Sequence, residues 1–292
     1  MLYIIFYLIS QVLLSFCDKA SSNAVTNMRK AVKYGYIRGF FGALCAFLLV
    51  VFSGSGFKIN ILSVLCALAF GLCIAVDLIN YLFLAKTGMV TLMTLTNQAA
   101  SLILPTLAGL LLFNNPVKPI QWIFIALLLV AAYMLCDSSK NIYSGFSYKT
   151  VGMLIIRFLA GGFGTLSMQA FAKVGDGNTN LFLTIAYVVS SVIMLAVYPF
   201  IKTEKSRCNN RLSKKLIILS FAASILFFAA NAFTVMAARI LEPIIQFSIA
   251  TIGAMVLNLL MGAICFKEKI TVKSSIAIVM ASISVVMINY FN

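Results

Sequence analysis

The chain has 292 residues, 62% of them hydrophobic and only 10% charged, with a formal charge of +15 and no histidine. That balance excludes a water-soluble globular domain, which needs far more polar surface. The lack of histidine, and seven cysteines without a CxxC pair, give haem, structural zinc and His-based catalysis little to work with; no cofactor, metal site or catalytic group is expected.

Ten apolar runs predict ten helices, each near the ~20 residues that cross a bilayer. The first, 2–24, lacks the basic start and small-residue cleavage site of a signal peptide and reads as a retained helix. It carries Gln11, Ser15 and Asp18 at i, i+4 and i+7. The second, 35–53, ends at Gly54-Ser55-Gly56. The third, 60–84, holds Asp77 with Asn80 and Tyr81 at i+3 and i+4. The fourth, 88–112, has Thr91, Thr94, Gln98, Ser101 and Pro105 at spacings of 3, 4, 3 and 4, one helical face flanked by Asn97; Asn114-Asn115-Pro116 ends it. The fifth is 118–137, and a polar segment, 138–149, follows. The sixth, 150–172, contains Arg157, Gly161-Gly162-x-Gly164, and Gln169 and Lys173 at i and i+4. The seventh, 179–200, contains Tyr187 and closes at Pro199, ahead of the most basic loop, 202–215. The eighth is 214–237. The ninth, 241–265, carries Gln246, Phe247, Thr251 and Asn258, and the tenth is 271–290. Strands are excluded because the runs are continuous and far longer than the ~10 residues of a barrel strand. In hydrocarbon a helix satisfies each backbone N–H locally.

The polar residues inside these runs are the candidate site. A charge in a spanning helix costs ~3 kcal/mol or more at its centre, so Asp77 either faces a cavity, binding a cation or a proton, or sits near the helix end, wetted or paired. Arg157 holds an anionic substrate, pairs with Asp77, or snorkels to the boundary. The stripe on the fourth helix lines a cavity or mediates packing of small and polar residues. The expected substrate-binding set is Asp77, Asn80, Tyr81, Thr91, Thr94, Gln98, Gln11, Gln169, Gln246 and Asn258. Tyr187 and Phe247 pack against substrate or belong to the core. The glycines at 161, 162 and 164 lack the strand and acidic partner of a dinucleotide site and predict a close-packing surface.

The second half echoes the first at an offset of 153 residues. Ala85 matches Ala238, Gly109 Gly262, Phe113 Phe266, Ile123 Ile276 and Met134 Met287, without a gap. Five helices per copy is odd, so the copies, 1–137 and 150–292 around the linker 138–149, insert in opposite orientations. Such an inverted pair places a substrate site near the midplane between halves. The polar chemistry is not repeated: Asp77 aligns with Ala230, Gln98 with Thr251 and Asn115 with Glu268. The connections after odd-numbered helices hold seventeen Lys and Arg, Arg38 among them, against four (Lys58, Lys118, Lys173, Arg239) opposite. The positive-inside rule then puts both termini outside. Short basic loops of this kind meet lipid headgroups rather than nucleic acid.

The segment from Glu242 to Asn289 resembles the closing part of the EamA-type drug/metabolite transporter superfamily: Pro243 soon after the helix start, Gly253, Gly262, then a Phe266-x-Glu268-x-Ile270-Thr271 turn. The first half has the weaker copy, Gly109, Phe113 and Val117, with Asn115 in place of the Glu and Lys118 in place of the Thr. The resemblance implies ten transmembrane helices as five plus five, and cytoplasmic termini, against the charge count. Thr271 as a cap with Glu268 ahead of it suits the positive end of a helix dipole. Together these readings predict an all-α integral membrane protein of the cytoplasmic membrane. It is expected to be a secondary transporter, not an enzyme, that exports a small organic metabolite by alternating access as a monomer or homodimer. Protons are the candidate coupling ion, and membrane lipid is the other partner. A translocase of a lipid-linked intermediate is the alternative, with a membrane-embedded lipid-modifying enzyme behind it.

Overall fold

The computed structural model describes residues 2–22, 28–54, 57–85, 96–97, 99–101, 103–105, 107–108, 118–136, 148–175, 177–201, 213–266 and 272–290. It is all-helical apart from one isolated bridge between Ile59 and Gly177. The helices are α1 (Leu2–Ser22), α2 (Met28–Phe52) and α3 (Ile61–Ala85). Then come α4, whose described residues lie between 96 and 108, α5 (Pro119–Cys136), α6 (Tyr148–Val174) and α7 (Thr179–Val197). The last three are α8 (Lys214–Ala238), α9 (Pro243–Phe266) and α10 (Val272–Tyr290). A 3₁₀ turn, Tyr198–Phe200, follows α7 where Pro199 stops the α-helix. Among the described residues five helical stretches are long and apolar enough to cross a membrane: Arg29–Phe52, Ile61–Asn80, Val151–Lys173, Thr179–Phe200 and Lys214–Ala238.

Helix boundaries shift from the sequence reading at several ends, and two of the starts bear on the site. α2 begins at Met28, not 35, because Arg29, Lys30, Lys33 and Arg38 depress local hydropathy without breaking a helix. The first of these is anchored: Arg29 Nε donates to Ile201 O at 3.0 Å, and Arg29 and Lys33 lie over the Tyr198 ring. Arg38 is therefore not a loop cation but the eleventh residue of α2, about 15 Å along its axis. Similarly, α6 takes in Tyr148 and Lys149 from the expected linker.

Many of the buried positions between helices are small residues, and many large apolar residues face outward. Along α3, Ala67, Phe70, Gly71 and Ala75 are buried, whereas Leu65, Leu68 and Leu72 are exposed. α8 repeats the arrangement, with Ser220, Ala223 and Ser224 inside and Ile218, Phe221 and Ile225 outside. A surface clad this way is unsuited to water, and close helix approach requires the small interior. At Gly71 a Cβ would strike the Ala186 carbonyl of α7.

α2 packs on α7, α3 on α6 and α7, α1 on α8 and α9, α2 on α8, and α5 on α10. The main core gathers Phe70, Phe171, Phe182, Leu183, Tyr187 and Val235 from four helices, with the Phe171 and Phe182 rings stacked at 4.2 Å. A smaller core joins α5, α9 and α10 around Leu128, Phe247 and Ala281. The 153-residue offset recurs in the helix boundaries: α3 and α8 start 153 residues apart and end 153 apart, and α5 and α10 start 153 apart. Even the caps correspond. Asn60 Oδ1 accepts from Ser63 N at 2.7 Å, and Ser213 Oγ accepts from Leu216 N at 3.3 Å.

Candidate functional site

Among the described residues two charged pairs lie within the helices. In the first, Asp77 of α3 meets Arg157 of α6, with Arg157 Nε 3.5 Å from Asp77 Oδ1. The arginine side chain is 7% exposed and the aspartate 29%. Of the roles considered for these residues, mutual pairing is the one this geometry brings about. The antiparallel course of α3 and α6 makes the pairing possible, since Asp77 is eight residues from the end of one helix and Arg157 nine from the start of the other.

The second pair joins α1 to α2. Arg38 Nη1 contacts Asp18 Oδ1 at 2.9 Å and Oδ2 at 3.2 Å, and Tyr34 Oη donates to the same Oδ1 at 3.2 Å. The guanidinium lies over the Phe227 ring of α8 at 4.5 Å, a cation–π stack in low dielectric. The polar thread continues: Asn231 Nδ2 donates to Tyr187 Oη at 2.8 Å and to Phe227 O at 3.0 Å. Sequence reasoning placed Asp18 on a polar face but missed Arg38, Tyr34 and Asn231. The available signal was Tyr34 and Arg38 at i and i+4, one face of a helix, if the helix had been started early enough.

Both pairs occupy the same half of the bundle. α2 starts where α7 ends, as the Arg29–Ile201 bond fixes, and Gly175 at the end of α6 abuts Ser63 at the start of α3. The opposite end is indented by a hollow of about 740 Å³, lined by Lys58, Asn60, Asn178, Asn180, Met236 and Arg239 among others. Its rim is stiffened by the Ile59–Gly177 bridge, by Asn178 N donating to Lys58 O at 3.4 Å, and by Arg239 Nη2 donating to Gly177 O at 3.1 Å.

The expected site residues separate clearly. Gln169 is 1% exposed, and neither of its amide atoms has a hydrogen-bond partner among the described residues. Gln246 is 2% exposed; its Nε2 donates to Thr234 O at 2.8 Å, and its Oε1 has no such partner. Asp77 Oδ1, which faces Arg157, accepts no hydrogen bond from the described residues. Asn80 is directed back into its own helix, Nδ2 to Val76 O at 2.9 Å. Gln11 lies half-buried on α1, and its backbone carbonyl accepts from Ser15 Oγ at 2.9 Å. Thr91, Thr94 and Gln98, and the side chains of Tyr81 and Asn258, lie outside the described residues, as do Glu268 and Thr271. Tyr187 and Phe247 belong to the two cores. A Cβ at Gly161 would meet Asn97 Oδ1, and one at Gly162 would meet Leu104, so these glycines let α4 lie against α6. Among the described residues no group of three or more Cys, Asp or Glu is arranged to hold a metal ion.

No family profile matches the chain, and no curated protein matches it. Its fold does have counterparts of known structure. One crystal structure of a protein superposes with a TM-score of 0.76 at 12% identity, covering 99% of this chain and 99% of that one.

Proposed function

We propose that this chain is a multi-pass carrier of the EamA type that moves a small organic molecule across the cytoplasmic membrane, with two inverted five-helix halves rocking about a site between them. The carrying observation is the packing across the halves. The principal helix pairs, α2 with α7, α3 with α6, α1 with α8 and α5 with α10, each join the first five helices to the last five. Exchanging each helix for its counterpart five positions on turns α3–α6 into α8–α1 and returns α2–α7 and α5–α10 to themselves. That is the pairing a two-fold axis between repeats requires. The seam holds buried polar atoms on Gln169 and Gln246 without hydrogen-bond partners among the described residues, beside the Asp77–Arg157 ion pair. In an apolar bundle such atoms are costly unless water or a ligand meets them. The two charged pairs at one end and the hollow at the other fit a bundle closed on one side and indented on the other.

The test is transport by purified protein in liposomes, using a broad panel of radiolabelled metabolites. Uptake of one class above protein-free vesicles is expected, with Asp77→Asn and Gln169→Leu slowing it at least tenfold. If nothing in the panel moves, the carrier reading fails. Labelling a single cysteine placed at residue 292 from outside intact cells decides the sidedness that charge and resemblance assign oppositely.

A further inference from the structure

We propose that Arg38 is an anion-recognising residue and that the molecule bound inside the bundle carries a carboxylate. This names the substrate class of the carrier proposed above, and rests on that reading for the movement but not for the binding.

The case begins with position. Arg38 lies about 15 Å into α2, too deep for its charge to serve merely as a topological signal at the boundary. Charged residues at such depth mark ligand or ion paths more often than scaffolding. Its contacts leave a specific vacancy. Asp18 puts both oxygens on one nitrogen, Nη1. An arginine serving only as a scaffold is best satisfied by two parallel bonds from its fork. Here the side fork, made by Nε–H and the neighbouring Nη2–H, is not used by Asp18, and Nε is buried with no hydrogen-bond partner among the described residues. The Phe227 ring covers a face of the guanidinium and fixes its plane, so the fork has a set direction.

Asp18 can share the arginine. Its side chain is 36% exposed and has a second donor in Tyr34 Oη. A ligand carboxylate on the side fork therefore strands neither partner. The local charge favours a singly charged anion over a doubly charged one, because Asp18 already neutralises Arg38. The far end of the bundle agrees in sign: the hollow there is lined by Lys58 and Arg239 and by no acid, so an approaching anion is attracted.

The probes are 4-fluorobenzoate and its neutral analogue 4-fluorobenzamide, added to the detergent-purified full chain and read by fluorine line broadening. The wild type is expected to broaden the benzoate and not the benzamide. Asp18→Asn removes the competing carboxylate and is expected to bind the benzoate about tenfold more tightly, whereas Asp18→Asn/Arg38→Gln is expected to lose the binding. These opposite signs would not arise from a purely structural ion pair. Arg38→Lys keeps the charge but not the fork, and is expected to weaken binding about tenfold; it serves if the double variant does not fold. Equal broadening of the two probes, or benzoate affinity unchanged by either Arg38 variant, overturns the proposal. Benzoate binding through Arg38 without transport of any solute sinks the carrier and leaves the site; transport without such binding does the reverse.

Discussion

The two charged pairs solve one physical problem in different ways. Asp77–Arg157 bridges α3 and α6, one helix from each half, at 3.5 Å. Asp18–Arg38 bridges two consecutive helices at 2.9 Å, and reaches the second half through the Phe227 ring and through Ser224 Oγ, which donates to Arg38 O at 2.9 Å. In the first, the cation is almost wholly enclosed against its partner carboxylate; in the second, an aromatic face and a tyrosine hydroxyl share the charge. Charge held partly by an aromatic face and a hydroxyl can be exchanged, whereas an enclosed cation is expensive to separate from its counter-ion. The difference assigns Asp77–Arg157 to the contact between halves and Asp18–Arg38 to recognition.

The sharpest way to break this contrast is to delete each carboxylate. Asp77→Leu leaves the enclosed Arg157 without its counter-ion and should cost about 3–5 kcal/mol, read as the loss of folded protein in denaturant titrations in detergent. Adding Arg157→Met should recover most of that loss, since a packed apolar pair replaces a buried ionic one at little cost. Asp18→Leu should cost less, about 2 kcal/mol, because the Phe227 face still holds the guanidinium. Equal losses at the two sites would erase the distinction. Tyr187→Phe comes next. It removes the acceptor of Asn231 at the inner end of the Arg38 thread and should cost about 1 kcal/mol, with no change in the Asp77 variants' stability when the two are combined, as expected of sites without shared partners.

Much of this was legible in the chain. Helix spans follow from apolar runs because lipid leaves the backbone no other solution, and the glycines at 161 and 162 were read as a packing surface from their apolar setting alone. The pairing of Asp77 with Arg157 was among the roles their depths allowed. What hydropathy could not find was the start of α2. Arg29, Lys30 and Lys33 are polar by composition, yet their long stems run along a helix whose end is pinned by Tyr198 and Ile201. Misplacing that start by seven residues left Arg38 in the first turn of the second helix, counted with the basic connection before it, and hid the network it anchors. Asn231 was hidden for another reason. One amide in an apolar helix has no sequence partner, and Tyr187 lies on a different helix 44 residues away. The aligned copies gave no help, since neither charged pair is repeated.

The smallest expected effect bears on the halves themselves. Asn60 and Ser213 stand 153 residues apart, each capping a 25-residue helix by accepting from the backbone N–H three residues on. If the copies share a scaffold and differ only in polar chemistry, the two caps should carry similar energy although their side chains differ. Asn60→Ala and Ser213→Ala should each cost about 0.5–1 kcal/mol, measurable as matched shifts in the denaturation midpoint. Asn60 also lines the hollow beside Lys58, so the two variants should diverge in one respect only. Salt should change the Asn60→Ala shift, because the amide orders a rim that carries two cations, and should leave Ser213→Ala alone. A large stability difference between the caps at fixed salt would mean that the repeat is geometric without being energetic, and that the second half folds on terms of its own.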